Sequence, residues 1–518
     1  MNIGLAGMFP WRPHLEHLVY IGILLRKSSH KTFYLTCDSQ LSNCYNLELK
    51  KQGRTYVCGT CIIGGIRSYP VNNITPLEKN VNNNLSELEL LKLSRSSANT
   101  LCRAEAKEEF EAENVLRIRD SFTNPINIIY ENTTEWIKKN KIEGIITFNG
   151  RMDITQGITY ACEKNDIPYI TLERTRDHGI LLKPNENCLG LKEINRLNKI
   201  FINKPLKYEQ ALLSAIELYN RISGNKLKEW RSFHDNNKNI YWPAKGNGQK
   251  VLITPSSRSE FEGHLDWEFG FFNYTDAFDE LFDRLKISSE NCVLRCHPNW
   301  TRPIGRIKES NALIHYMNWA KKRGIHIIHS IEKSSTYSLI NQADIIVVNG
   351  GSTGTEAGFL GKKVICIGHA GYEQSKMSIN IQNNSQWHLL KNLDNFDEKE
   401  TIRNTLRSYY FGSFRFPQFI KHVRLKNNLS FEYIEGASAE NIIKMFKTGR
   451  VEIDENDVAY DETEEDKIID ILINNKFAKL INIDKKSAKQ FQRKISINRK
   501  WIFSWLDKIR PFLPRGDE

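Results

Sequence analysis

The sequence predicts two doubly wound α/β domains in tandem, each a mostly parallel sheet with helices on both faces, followed by a charged tail. Three observations carry this. Short, fully apolar runs alternate with segments of helical period, as central parallel strands and their crossover helices do. The alternation breaks at a polar stretch, "FHDNNKNIYWPAKGNGQ" at residues 233–249, which reads as an interdomain linker, and then restarts. From about residue 450 the composition turns acidic and then basic. The expected divisions are 1–235, 236–450 and 451–518.

In the first domain "MNIGLAGMF" reads as a strand, "PWRPHLE" as a loop and "HLVYIGILLRK" as a helix. "KTFYLTC" is rich in β-formers. Residues 85–120 have helical spacing with charged faces. "PINIIYENTTEWIKKN" reads as a further helix feeding the strand "EGIITF", then "RMDITQGITYACEKN" as a helix and "IPYITLE" as a strand. The second domain offers strands "KVLITP", "NCVLRCHP", "IHIIHS", "ADIIVVN" and "KKVICIG". Between them lie the helical segments "TDAFDELFDRLK", "LIHYMNWAKKRG", "SSTYSLINQ" and "TGTEAGFLG".

A chain of 518 residues suggests two to four domains, and 40% hydrophobic with 26% charged residues marks an ordinary globular protein. The net charge of +12 points to an anionic partner: a phosphate-bearing small molecule, nucleic acid or a membrane surface. No secretory signal is expected from "MNIGLAGMFPW", and no apolar run reaches the length of about 18 residues that spans a bilayer. Ten cysteines without a signal suit reduced thiols in a cytoplasm.

The turn "NGGSTG", Asn349 to Gly354, follows an apolar strand and opens a helix. In an open parallel sheet, ligands collect beyond the carboxyl ends of the strands. Gly350 and Gly351 allow close backbone approach, Ser352 and Thr353 supply hydroxyls, and Glu356 can accept from a ribose. A capped helix explains the same residues. Two further elements shift the balance: His297-Pro298 after the strand "VLRC", and Ser334-Ser335 at a helix start. Together they suggest a nucleotide phosphate site.

The order "HPNW" then "SSTYSLINQADIIVVNGGSTGTEAGFLGKKVICIGHAGYE" resembles the nucleotide-sugar domain of bacterial capsule polysaccharide glycosyltransferases. These include the 3-deoxy-manno-octulosonic acid (Kdo) transferases of capsule export systems. The resemblance covers residues 250–375 and extends loosely into "FNGRMD" and "ITLERT". It implies a GT-B fold, with two Rossmann-like domains facing across a cleft and a C-terminal helical tail. It also implies sugar transfer from a CMP-, UDP- or GDP-linked donor to a glycan or lipid-linked glycan. In such relatives a His-Pro histidine and a Ser/Thr pair hold the donor phosphate, which His297, Ser352 and Thr353 match and Ser334 and Ser335 match less closely. The same turn is similar to that of nucleotide-sugar 2-epimerases, so epimerisation is the alternative within enzymes. Outside enzymes, the charge allows a nucleic-acid-binding or scaffold protein. The basic residues concentrate in the tail rather than along one surface, so no nucleic acid is expected.

Sugar transfer needs a base for the acceptor hydroxyl and groups that offset charge on the leaving phosphate. Glu173 and Asp153, just past strand ends, are candidate bases, with Glu16 a third. Asn149, Arg151 and His14 are candidate acceptor contacts, and Arg174 a further cation; Glu173 and Arg174 pairing in a loop is the bland alternative. Arg258, with Glu260 nearby, is a candidate donor contact. No Asp-x-Asp pair follows a strand, so no catalytic metal is expected. Asp454 to Asp457 in the acidic run reads as solvated surface.

Cys37, Cys44, Cys58 and Cys61 are spaced C-x6-C-x13-C-x2-C. Cys-Gly-Thr-Cys has the form of a zinc knuckle, in which a tight glycine turn lets both thiolates reach one ion. A structural zinc is expected there, with separate reduced thiols or a redox pair as alternatives. In the tail, residues 451–466 hold nine carboxylates and no base, while residues 485–510 are basic and carry Trp501, Phe503 and Trp505. The basic segment suits a peripheral contact with the inner face of a membrane, or a helix packed on the body. The acidic run is expected to pair with it when no membrane is present.

Overall fold

A computed structural model of the chain describes residues 1–50, 52–79, 81–223, 238–305, 307–427, 430–474, 476–481 and 493–509. The expected division at 235/236 and the first residues of the linker, 233–237, lie outside these, as do residues 485–492 and 510 of the basic segment.

Six strands form the first sheet: β1 (Asn2–Ala6), β2 (Lys31–Thr36), β3 (Ile74–Pro76), β4 (Gly144–Phe148), β5 (Tyr169–Arg174) and β6 (Ile180–Pro184). Six more form the second: β7 (Val251–Thr254), β8 (Cys292–Arg295), β9 (His326–Ile328), β10 (Ile345–Val348), β11 (Lys363–Ile367) and β12 (Ile379–Ile381). Their orders are β3-β2-β1-β4-β5-β6 and β12-β11-β10-β7-β8-β9. All pairs are parallel except β5 with β6, which forms an antiparallel edge. In each sheet the chain first builds outward on one side of its opening strand and then returns to the other. The direction reverses between β1 and β4 and again between β7 and β10. Loops leaving the carboxyl ends diverge at such a reversal and open a crevice for a ligand. The central strands are fully apolar because both faces are covered: Ile346, Val347 and Val348 have no exposed surface.

Two Rossmann-like domains facing one another form the GT-B arrangement. Their contact is polar and specific. Buried Glu105 of the first domain accepts from the Arg258 backbone N–H (2.8 Å) and the Tyr316 hydroxyl (2.9 Å) of the second. The Arg103 guanidinium donates to the carbonyls of Asn299 (2.8 Å) and Arg302 (2.7 Å). Burial pushes the Glu105 carboxyl up to about 8. The folded protein therefore keeps a proton that the unfolded chain loses near about pH 4. Stability from this group is full below that pH and falls until pH reaches about 8. Glu105→Gln is expected to flatten that decline, read as urea midpoints across the pH range, whereas Glu105→Ala destabilises at every pH by leaving two buried donors unpaired.

Several boundaries differ from expectation. The first helix starts at His14, so "HLE" belongs to it rather than to the loop. One helix, Glu113–Asn140, runs through Pro125 instead of starting there. Residues 238–249 lie along the second domain: Ile240 and Trp242 backbone N–H groups donate to the side chains of Ser338 (3.2 Å) and Gln342 (2.9 Å). The chain also crosses back late. Phe411, Phe416, Val423, Tyr433, Met445 and Phe446 pack in the core of the first domain, although residues up to 450 are expected in the second.

The tail is not wholly helical. A helix at Thr463–Ile473 precedes β15 (Lys494–Ile495), which joins an antiparallel sheet of order β13-β14-β15 with β13 (Val423–Asn427) and β14 (Ser430–Ile434). The acidic run pairs with cations of the body rather than with the described part of the basic segment. Glu455 meets Lys204 (2.9 Å), Asp457 meets Lys207 (2.7 Å), and buried Glu465 meets Arg403 (3.3 Å) and Arg407.

Candidate active site

At the carboxyl ends of β1, β4 and β5, three expected residues come together. Glu173 is next to last in β5, Asn149 follows β4, and His14 opens the helix after β1. The Asn149 amide nitrogen donates to Glu173 Oε1 (2.7 Å), and the Arg174 backbone N–H to Oε2 (3.3 Å). His14 Nδ1 stands 3.7 Å from Oε2. Burial raises the Glu173 carboxyl to about 6, against the hydrogen bonds from Asn149 and Arg174 that favour its charged form. Burial, together with nearby His17 and Arg174, holds His14 well below the usual imidazole range, so it is neutral at pH 7. Arg151 donates to the hydroxyls of Ser96 (3.0 Å) and Thr100 (2.9 Å), on the helix Glu87–Cys102.

The other two candidate bases sit differently. Asp153 has no exposed surface; it accepts from the Tyr45 backbone N–H (3.0 Å), and burial raises it to about 7. A base must reach an acceptor hydroxyl, and a carboxylate sealed inside the domain does not. Glu16 is buried and paired with Arg12 Nε (2.9 Å). Only Glu173 combines a raised carboxyl with partial exposure at a strand end.

Across the cleft, the Asn349 side chain accepts from Ser256 N–H (2.5 Å) and donates to Ser256 O (3.0 Å), tying the ends of β10 and β7 together. Gly350 has φ +94°, and a Cβ there would lie 2.5 Å from the His369 carbonyl oxygen, so glycine is required. Ser352 precedes the short helix Thr353–Phe359. Its hydroxyl accepts from Arg221 Nη2 (3.0 Å), while Arg221 Nε donates to the buried Glu356 carboxylate. Glu356 is thus held by a guanidinium from the helix Tyr208–Ile222.

A cavity of about 360 Å³ lies between the domains. Arg174, Arg176 and His178 line it from the first domain, Ser352, Thr355 and Glu356 from the second, and Arg221 and Tyr409 complete it. The three guanidinium groups and the Ser352 and Thr355 hydroxyls suit a phosphoryl group, with the carboxylates of Asp177, Glu217 and Glu356 in the same lining. His297, Pro298, Ser334 and Ser335 are not in its lining. His297 follows β8, and its Nδ1 accepts from Asn299 N–H (3.1 Å) at the turn that Pro298 opens. Ser334 and Ser335 are buried, and the Ser335 hydroxyl caps the helix Thr336–Gln342 by accepting from Ser338 N–H (3.3 Å). Arg258 is also buried, donating to Glu262 (2.8 Å) and the Phe272 carbonyl (2.8 Å). Arg176 and His178 were legible as polar side chains just past "ITLER", whereas Arg221 and Tyr409 carry no local signal.

The four cysteines line one small cavity of the first domain. Cys58 and Cys61 lie within the helix Arg54–Gly64, one turn apart, rather than on a knuckle: Gly59 is helical and its flexibility is not used. Cys44 precedes the helix Tyr45–Leu49, and Asn46 donates to Cys61 Sγ (3.1 Å). Burial raises the Cys37 and Cys44 thiols and pushes Cys61 up to about 12. Among the described residues no group of three or more His, Cys, Asp or Glu side chains is placed to hold a metal ion. Nor, among them, is any helix long and apolar enough to cross a membrane.

No protein-family model matches the chain, and no curated protein matches it. Solved structures do. The chain is similar to the KpsC β-Kdo 2,4-transferase of Thermosulfurimonas dismutans at 14% identity, over 64% of this chain and 87% of that one, with a TM-score of 0.33. It is similar to the UDP-GlcNAc 2-epimerase of Neisseria meningitidis bound to UDP-GlcNAc at 11% identity, over 79% and 96%, with a TM-score of 0.27. MurG of Acinetobacter baumannii follows at 8% identity, over 79% and 94%, with a TM-score of 0.26. A Kdo transferase, the type that the sequence resembles, is thus among them. Overlaps this loose carry no argument about activity, and the fold stands on the strand order itself.

Proposed function

We propose that the chain is a glycosyltransferase that moves a sugar from a nucleotide-sugar donor to a glycan. The observation that carries this reading is the shared cavity, with Arg174, Arg176 and His178 on one wall and Ser352 and Thr355 on the other. Glu173, with its raised carboxyl, directly precedes Arg174. In this reading the donor phosphate lies among the guanidinium groups and hydroxyls, and the acceptor lies over Asn149 and His14. The ionised Glu173 takes the acceptor hydroxyl proton, and the acceptor oxygen bonds to the anomeric carbon. The bond from that carbon to the phosphate oxygen breaks, and its electron pair leaves with the nucleotide. Arg174, Arg176 and Arg221 offset the charge released on the phosphate. A surface polysaccharide of capsule or O-antigen type as product rests on the sequence resemblance of residues 250–375 alone.

The test is a panel of CMP-, UDP- and GDP-sugars given to the purified chain with glycan acceptors. Nucleotide release and sugar configuration are followed by NMR. Acceptor-dependent release from one donor is the expected result. Inversion at C2 of an intact nucleotide sugar would assign the chain to the 2-epimerases instead, and neither change across the panel would overturn the enzyme reading.

A further inference from the structure

We propose that residues 500–509 and the helix Arg54–Gly64 form one docking face for an anionic phospholipid bilayer. The two segments adjoin. Buried Arg499 donates to the Gly64 carbonyl (3.0 Å) and the Ser68 hydroxyl, and Lys500 N–H to the Ser68 carbonyl (2.6 Å). The aromatic segment therefore starts against the carboxyl end of that helix. Large apolar side chains on both are left in water: Trp501 is 85% exposed and Trp505 49%, with Ile502 and Ile509 beside them, and Tyr56, Ile62 and Ile63 are exposed on the helix.

An apolar patch left in water on two joined elements marks an interaction surface. Its surroundings select the partner. Lys500 and Lys508 are exposed among the tryptophans. Tryptophans for the headgroup boundary and lysines for lipid phosphates are the composition of an interfacial anchor. The face also has a place relative to the candidate site. Asp507 binds Arg12 and Arg499 Nε (3.0 Å), and Arg12 is two residues before His14. Docking there holds the acceptor side of the first domain at the lipid surface, where an acceptor on a lipid carrier would arrive. The inference goes beyond the transfer reading and stands without it, since lipid binding needs neither donor nor acceptor.

The test is co-sedimentation of the full chain with phosphatidylcholine vesicles, with or without phosphatidylglycerol. Wild type, Trp501→Ser/Trp505→Ser and Ile62→Ser/Ile63→Ser are compared, with melting curves to confirm folding. Wild type should bind the anionic vesicles about tenfold more tightly than the neutral ones, and less so in high salt. Each double variant should lose about tenfold in that binding. Failure to bind anionic vesicles, or full binding by both folded variants, would overturn the proposal. Light scattering that shows a dimer broken by the same substitutions would assign the face to a second copy and equally overturn it.

Discussion

Glu173→Gln is expected to lower the rate of sugar transfer by roughly 10²–10⁴-fold while leaving donor affinity nearly unchanged. The amide keeps the size of the carboxylate and can still accept from Asn149, but it cannot take a proton from the acceptor. The wild-type pH profile should carry the same signature. Burial places the Glu173 carboxyl at about 6, so the active, ionised form is lost as pH falls through that value. Below it kcat/KM should drop about tenfold per pH unit, with a plateau above. Asn149→Ala removes the 2.7 Å hydrogen bond that favours the ionised form. It should move the acid limb to higher pH, a shift that a purely structural role for Asn149 would not produce. A profile that stays flat through pH 6 would remove Glu173 as the base.

Arg221→Ala is expected to destabilise the fold by about 3–5 kcal/mol, because it strands the buried Glu356 carboxylate without its guanidinium. The double variant Arg221→Ala/Glu356→Ala removes both charges and should recover most of that loss. Donor affinity should not recover, since Arg221 lines the interdomain cavity and donates to Ser352. Urea denaturation reads the first effect and nucleotide titration the second. Recovery of both together would show that the pair serves folding alone.

The fold was legible where burial is two-sided. The runs "VLI", "IIVV" and "VICI" have no polar position, as parallel strands covered on both faces require. Three edge strands escaped for the opposite reason. β3 and β12 have three residues each, and β6 carries Lys183 and Pro184, so none shows a period. The return of residues 411–451 to the first domain has no local signature, because their apolar residues suit either core. Cys-Gly-Thr-Cys looks like a turn from its glycine, yet Val57 anchors the segment as a helix with one buried face. The grouping of Glu173, Asn149 and His14 follows from their places just past strand ends, which the sequence showed. The pairing of Arg221 with Glu356 was not, since 135 residues separate them and only tertiary packing brings them together. His297 and Ser352 follow the ends of β8 and β10, and Ser352 lines the interdomain cavity while His297 lies outside its lining.

If the cavity between the domains holds the phosphate of an activated sugar, a nucleotide should occupy it. Calorimetric titration of CMP, CDP, UDP and GDP into wild type and Arg174→Ala/Arg176→Ala measures that occupancy. One nucleotide should bind wild type with a stoichiometry of about one, and excess over Kd of about 100-fold should stabilise it by about 2.7 kcal/mol. The folded double variant should lose that binding. Equal binding by the double variant, or no binding of any nucleotide by wild type, would show that this cavity is not a phosphate site.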